Sequence, residues 1–145
     1  MTDGYEIRTG LDAMDLDLVH HWLSTDAYWA LGRTRAKVDR AATHSLNFGA
    51  FADGTQVAYA RVVTDHANFA WLCDVYVDRD HRGRGLGGRL VAAAVEQLDA
   101  LGVRRTLLST YDAHTVYAAH GFTPLPEPDR WMVRVVHREV VEEPG

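Results

Sequence analysis

Residues 78–88, Asp78-Arg79-Asp80-His81-Arg82-Gly83-Arg84-Gly85-Leu86-Gly87-Gly88, hold the densest set of chemically useful side chains and backbone in the chain. Four glycines fall within residues 83–88, which clears side chains from a place where the backbone must come close to something. A helical apolar repeat starts at Leu86, so unbonded N–H groups open that helix just where its dipole favours negative charge. Arg79, Arg82, Arg84 and Arg89 bring cations to the same place. Open amides, glycines and arginines together describe a seat for a polyanion such as a pyrophosphate. The plain alternative is a glycine-rich turn with solvated arginines. Gly83, Gly85 and Gly88 also satisfy the G-x-G-x-x-G pattern of dinucleotide sites, and a nicotinamide-dependent oxidoreductase is the function that pattern would imply. That fingerprint, however, follows directly on the first strand of a βαβ unit. Here charged residues intervene, and too little chain follows for a doubly wound sheet. A Walker loop is excluded, because no Gly-Lys-Ser/Thr follows.

The elements that must position this loop can be read around it. Residues 5–9 form a short first strand. Leu16, Val19, Trp22 and Leu23 have the spacing of a half-buried helix, and Thr34 caps a second helix through Ala36, Val38 and Ala42. Residues 46–51 and 56–63 read as two strands joined by the turn Ala52-Asp53-Gly54. A third, residues 69–77, leads straight into the loop. Leu86, Leu90, Val91, Ala94, Val95 and Leu98 then recur at helical spacing up to a C-terminal cap at Gly102. A short buried strand is expected at 106–109, a short helix at 114–120 stopped by Gly121, and a last strand at 131–136. Helices, an antiparallel run and then strand–helix–strand make a mixed α+β arrangement.

Two motifs in this order resemble the GNAT superfamily of acyl-CoA-dependent N-acetyltransferases. Arg82-Gly83-Arg84-Gly85-Leu86-Gly87 fits its R/Q-x-x-G-x-G/A signature after the strand Asp74-Val75-Tyr76-Val77, and Tyr117-Ala118-Ala119-His120-Gly121-Phe122 resembles its Y-x-x-x-G-F. The resemblance implies a mostly antiparallel central sheet of about six to seven strands flanked by about four helices, covering residues 1–145 as one domain. It implies acetyl-CoA as co-substrate and no metal. Backbone from Arg82 through Gly83, Arg84, Gly85, Leu86, Gly87 and Gly88 would hold the pyrophosphate, and the strand Val75, Tyr76 and Val77 would pair with the pantetheine arm as an added strand does. Tyr117 matches the tyrosine that protonates the departing thiolate in many members; on its own it also reads as a core aromatic. The family's asparagine seven positions earlier is Thr110 here.

A general base is less defined. Asp74 is the only carboxylate within residues 69–77, and strict alternation places it on the face opposite Trp71, Cys73 and Val75. It reads equally as a base or as a structural anchor, with Asp65, His66 and His114 in reserve and a relayed water as a further route. In this superfamily the first two helices and their connection wall the acceptor site. Here Tyr28, Trp29 and Arg33 would form that wall, with Asp26 at its rim, or the aromatics would simply pack the helix junction. The expected reaction is direct transfer of acetyl from acetyl-CoA to a primary amine of a small molecule in a ternary complex. A protein lysine or N-terminus as acceptor, or an acyl-CoA-binding module without turnover, are the alternatives.

Composition limits the remaining classes. The chain has 145 residues, a formal charge of -5 and one cysteine, Cys73. The acidic balance excludes a basic nucleic-acid surface, and a lone cysteine excludes an intrachain disulfide and a cysteine-rich zinc site. His20-His21 and His114/His120 lack metal-ligand spacing. Residues 1–10 lack the apolar run of a leader, and no stretch is apolar enough to span a bilayer. The expectation is a cytoplasmic domain with no membrane or nucleic-acid partner, for which a homodimer remains open.

Overall fold

The structure, a computed structural model, describes residues 3–136. Five strands form one sheet in the order β1-β2-β3-β4-β5: β1 (Tyr5–Thr9), β2 (Leu46–Ala52), β3 (Thr55–Thr64), β4 (Phe69–Val77) and β5 (Arg105–Leu107). The first four are antiparallel and β5 runs parallel to β4. Between them lie α1 (Leu16–Thr25), α2 (Arg35–Thr43), α3 (Leu86–Leu101) and α4 (His114–Ala118).

Local chemistry sets these boundaries. Asp15 caps α1 by accepting from the Leu18 N–H at 3.1 Å, and Thr34 caps α2 through the Lys37 N–H at 3.2 Å, each satisfying an amide with no intrahelical acceptor. Ala52 pairs with Thr55, so the β2–β3 turn is Asp53-Gly54, with φ of 50° and 81°. Two left-handed residues match the twist of the strands they join.

Both faces of the sheet are covered. On one, Phe48, Ala58, Val62, Ala70 and Leu72 pack against Leu86, Leu90, Val91 and Leu98 of α3. On the other, Tyr59 and Tyr76 pack against Val19, Trp22, Leu23 and Val38 of α1 and α2, and the Trp22 and Tyr76 rings stack at 5.4 Å.

Strand β4 changes parity halfway along. Cys73 pairs with Arg61 and Tyr76 with Tyr59, so Asp74 and Val75 together oppose Ala60 alone. This is a β-bulge, and Asp74 takes a left-handed φ of 52° at it. Before the bulge the even residues Ala70 and Leu72 face α3; after it the odd residues Val75 and Val77 do. Strict alternation therefore misplaces Asp74: its carboxylate meets Arg61, a neighbour of Tyr59 on the α1–α2 side of the sheet, and not the opposite face.

The expected last strand is also absent. Residues 131–136 pair with no strand among the described residues, so the sheet has five strands there, not six or seven. Met132 is 97% exposed and Val133 84%. The β-branched run has strand propensity, but propensity needs a ladder partner and an apolar face to pack on. The neighbouring strand β5 is only three residues long.

Candidate active site

The β4–β5 ladder covers only Phe69 to Trp71, paired with Arg105 to Leu107. Past Trp71 that edge of β4 has no neighbouring strand among the described residues, and it is the bulge at Asp74 that re-aims the strand there. The open edge ends at Val77 and passes through a short 3-10 turn (Arg79–His81) into the glycine loop.

The loop has the open backbone that an anion seat needs. Gly85 is the residue before α3, with φ 75°, and no side chain caps the helix. Gly83 has φ 78°, and a Cβ added at Gly83 or Gly85 would meet nothing within 4 Å. The space beside these glycines is thus open, and the first amides of a 16-residue helix face it. The fit to a pyrophosphate is one of backbone, since each nearby arginine already has a partner. Arg79 and Arg82 bond to Asp26, Arg84 donates to the Tyr5 hydroxyl at 2.9 Å, and Arg89 pairs with Asp3 at 3.0 Å. Arg82 Nε also donates to the Val77 carbonyl at 2.8 Å, so that carbonyl is engaged within the chain while the strand before it is open.

Asp26, the residue after α1, is the centre of this arrangement. It accepts from the Tyr76 hydroxyl at 2.6 Å, from Arg79 Nε at 3.1 Å and from Arg82 at 3.2 Å. The Arg79 and Tyr76 hydrogen bonds hold its carboxyl well below the usual range, against a smaller opposing effect of desolvation.

Asp74 is 5% exposed and fully engaged. It accepts from Trp29 Nε1, Arg33 Nη1 and Arg61 Nε, each at 2.9 Å. Burial works to raise its pKa, but the Arg61 and Arg33 charges outweigh that and the net displacement is downward. The α1–α2 connection is thereby fastened to the middle of β4. Trp29 and Arg33 reach β4 itself, while Tyr28 is 55% exposed and stacks edge-on with Trp29 at 4.9 Å and against Tyr111 at 5.5 Å.

Tyr117 lies on α4, half-buried, with its ring 6.0 Å from that of Phe122. Burial raises its pKa, with smaller contributions from Tyr28 and Asp112. Its hydroxyl makes no hydrogen bond among the described residues. Tyr117 lines a cavity of about 840 Å³ together with His114, His120, Thr110 and Leu107. The structure thus gathers Tyr28, Trp29, Arg33 and Asp74 into one contact set, with Tyr111 and Tyr117 beyond Tyr28. Asp65 is taken up by the amides of Ala67, Asn68 and Phe69 in the β3–β4 turn.

Arg61 and Tyr111 are absent from the sequence-based set. Arg61 had a signal: it is the one charged residue in 56–63, an otherwise mostly apolar strand, opposite the one carboxylate of β4. Tyr111 had none, because its neighbour Tyr28 is far away along the chain. Cys73 is half-buried, its thiol pushed up to about 11 by burial, which makes it a packing residue. Among the described residues no group of three His, Cys, Asp or Glu side chains is placed to hold a metal, and no helix is long and apolar enough to cross a membrane.

Residues 16–122 match the profile of the acetyltransferase (GNAT) family. The chain belongs to that family, and it is an acyltransferase whose relatives use acetyl-CoA as co-substrate. A GNAT-family protein of Xanthomonas campestris pv. campestris is 46% identical, superposes with a TM-score of 0.86, and is matched over 91% of this chain and 93% of its own. Two more distant structures share the fold. Glucosamine-6-phosphate N-acetyltransferase of Arabidopsis thaliana has a TM-score of 0.64 at 15% identity, over 94% of this chain and 99% of its own. Ribosomal-protein-alanine N-acetyltransferase of Brucella melitensis biovar Abortus 2308 has 0.63 at 16%, over 92% and 99%. No curated protein matches.

Proposed function

We infer that this chain moves an acetyl group from acetyl-CoA to the primary amine of a small molecule by direct attack in a ternary complex. The observation that carries this reading is the open edge of β4 running into an uncapped, glycine-lined α3 terminus. An extended pantetheine arm would lie along residues 72–76 as a strand partner, and the pyrophosphate would rest on the amides of Gly83 to Gly88. The amine nitrogen attacks the thioester carbonyl, the C–S bond breaks, and the thiolate takes the Tyr117 hydroxyl proton; the proton lost by the amine leaves to water. A half-buried Tyr117 with a raised pKa is protonated at neutral pH, as an acid must be. Asp74 is assigned to holding the acceptor wall, because a lowered pKa and three donors make its carboxylate a poor proton acceptor.

The test is thiol release from acetyl-CoA over a panel of small amines, read beside acetyl-CoA binding by thermal shift. Binding together with turnover of at least one small amine is expected. Binding with no thiol release from any of them would refute the transferase reading.

A further inference from the structure

A cleft of about 350 Å³ lies beside the acceptor wall, lined by Arg33, Lys37, Arg40, Ala41, His44, Ser45, Arg61 and Val63. Four of these are permanent cations, and none of the lining residues is acidic. Among the described residues, the single carboxylate in contact with them is Asp74, which bonds to both Arg33 and Arg61. One negative charge therefore serves the buried Arg33 and the half-buried Arg61, and the deficit falls inside the cleft.

Arg33 shows that deficit at the level of atoms. It is 9% exposed, and its Nε is buried with no hydrogen-bond partner among the described residues. A buried donor left unpaired on a charged side chain is costly. Lys37 and Arg40, one helical turn apart on α2, have no ion-pair partner among the described residues. The other arginine of that helix, Arg35, is by contrast held by Asp17 and Asp39. Arg61 is fixed rather than mobile, donating to Asp74 from Nε and to the Ser45 hydroxyl from Nη1 at 3.0 Å.

The position of the cleft gives its cations a use. It opens on the α1–α2 side of the sheet, while the glycine loop that would seat the pyrophosphate follows the far end of β4. Arg33 and Arg61 both grip Asp74, the residue before Val75 on the open edge. Through these two lining residues the cleft is joined, by way of Asp74, to the middle of β4. Guanidinium pairs bind planar or tetrahedral oxyanions with directed hydrogen bonds.

Resting on the acetyl-transfer reading above, we propose that the acceptor is a small primary amine that also carries an oxyanion, a carboxylate or phosphate, which the Arg33–Arg61–Lys37–Arg40 cleft binds. The anion fixes the acceptor's far end and leaves its amine to reach the donor. It also completes the charge balance that Asp74 alone leaves unmet.

The experiment compares matched acceptors with the full chain: amino acids, their amides, and aminoalkyl phosphates of similar length. The acid-bearing members should have a KM at least about tenfold lower than the amides, the worth of one charge-assisted hydrogen bond; which acid does better separates carboxylate from phosphate. Arg40 is exposed and Lys37 half-buried, and Lys37→Met and Arg40→Met leave Arg33, Asp74 and Arg61 intact. Each should raise that KM about tenfold while leaving the KM for acetyl-CoA unchanged. Amides used as well as acids, or variants that alter only the acetyl-CoA KM, would overturn the proposal while amine acetylation itself stood. If no amine is acetylated although acetyl-CoA binds, the transferase reading has failed instead. The cleft is then judged by binding alone: succinate or inorganic phosphate should raise the melting temperature of the wild type and not of Lys37→Met/Arg40→Met. No shift in the wild type would overturn it.

Discussion

Replacing Asp74 by Asn keeps the shape of the side chain and removes its charge. In the folded protein that charge meets three donors at 2.9 Å, from Trp29, Arg33 and Arg61, with only 3% of its own side chain exposed. Taking one partner from a buried ion pair costs about 3–5 kcal/mol, because the other charges stay buried without compensation. Asn retains one acceptor oxygen, which places the expected loss near the low end, about 3 kcal/mol. For a chain of this length that corresponds to a melting temperature lower by roughly 10 °C. The pH dependence has a definite sign. The folded pKa of Asp74 is depressed, so its stabilisation is complete above the unfolded value of about 4 and is lost as the pH falls toward the folded value. The stability gap between wild type and Asp74→Asn should therefore be flat from pH 5 to 8 and narrow below about pH 4. Calorimetric melting across that range, with turnover measured on the same samples, makes the comparison. A variant that melts within a degree or two of wild type but loses its turnover would refute the anchoring role and restore Asp74 as a base.

Tyr117→Phe should lower kcat by about 10²–10⁴ with little change in melting temperature, the usual worth of a general acid; unchanged turnover removes Tyr117 from the chemistry. Gly85→Val places a β-branched residue at φ 75° and fills the open side of the loop, so the KM for acetyl-CoA should rise tenfold or more, about 1.4 kcal/mol, and an unaltered KM would count against the pyrophosphate seat. Cys73, with its thiol pushed up to about 11, has about one molecule in a thousand ionised at pH 8; iodoacetamide should label it only after unfolding, and rapid labelling of the folded chain would contradict the burial.

How much of this was legible in the sequence follows from how local each signal is. The caps at Asp15 and Thr34, the Asp53-Gly54 turn and the glycine stop of α3 depend on a few adjacent residues, and all are visible in the chain. The glycine loop is equally local. The bulge is not. Alternation along residues 69–77 carries no mark of the extra residue, so the side of the sheet that Asp74 faces could be read only from the pairing with β3. Arg61 and Asp74 were each conspicuous as a lone charge in a strand, yet only the antiparallel register makes them partners. Residues 131–136 show the opposite error: a strong strand pattern with no ladder to join among the described residues.

The Asp26 carboxylate has a consequence for kinetics. It grips Arg79 and Arg82 of the glycine loop and the hydroxyl of Tyr76, and it lies two residues before Tyr28 of the proposed acceptor wall. A pyrophosphate seated on the loop amides, as proposed, would bring its charge beside the two arginines that Asp26 holds, so the donor's arrival would be felt at the wall. The two substrates would then not add independently, and donor-first addition is the expected order. Asp26→Asn loosens this tie between loop and wall, and initial-rate patterns for that variant should move from ordered toward random addition.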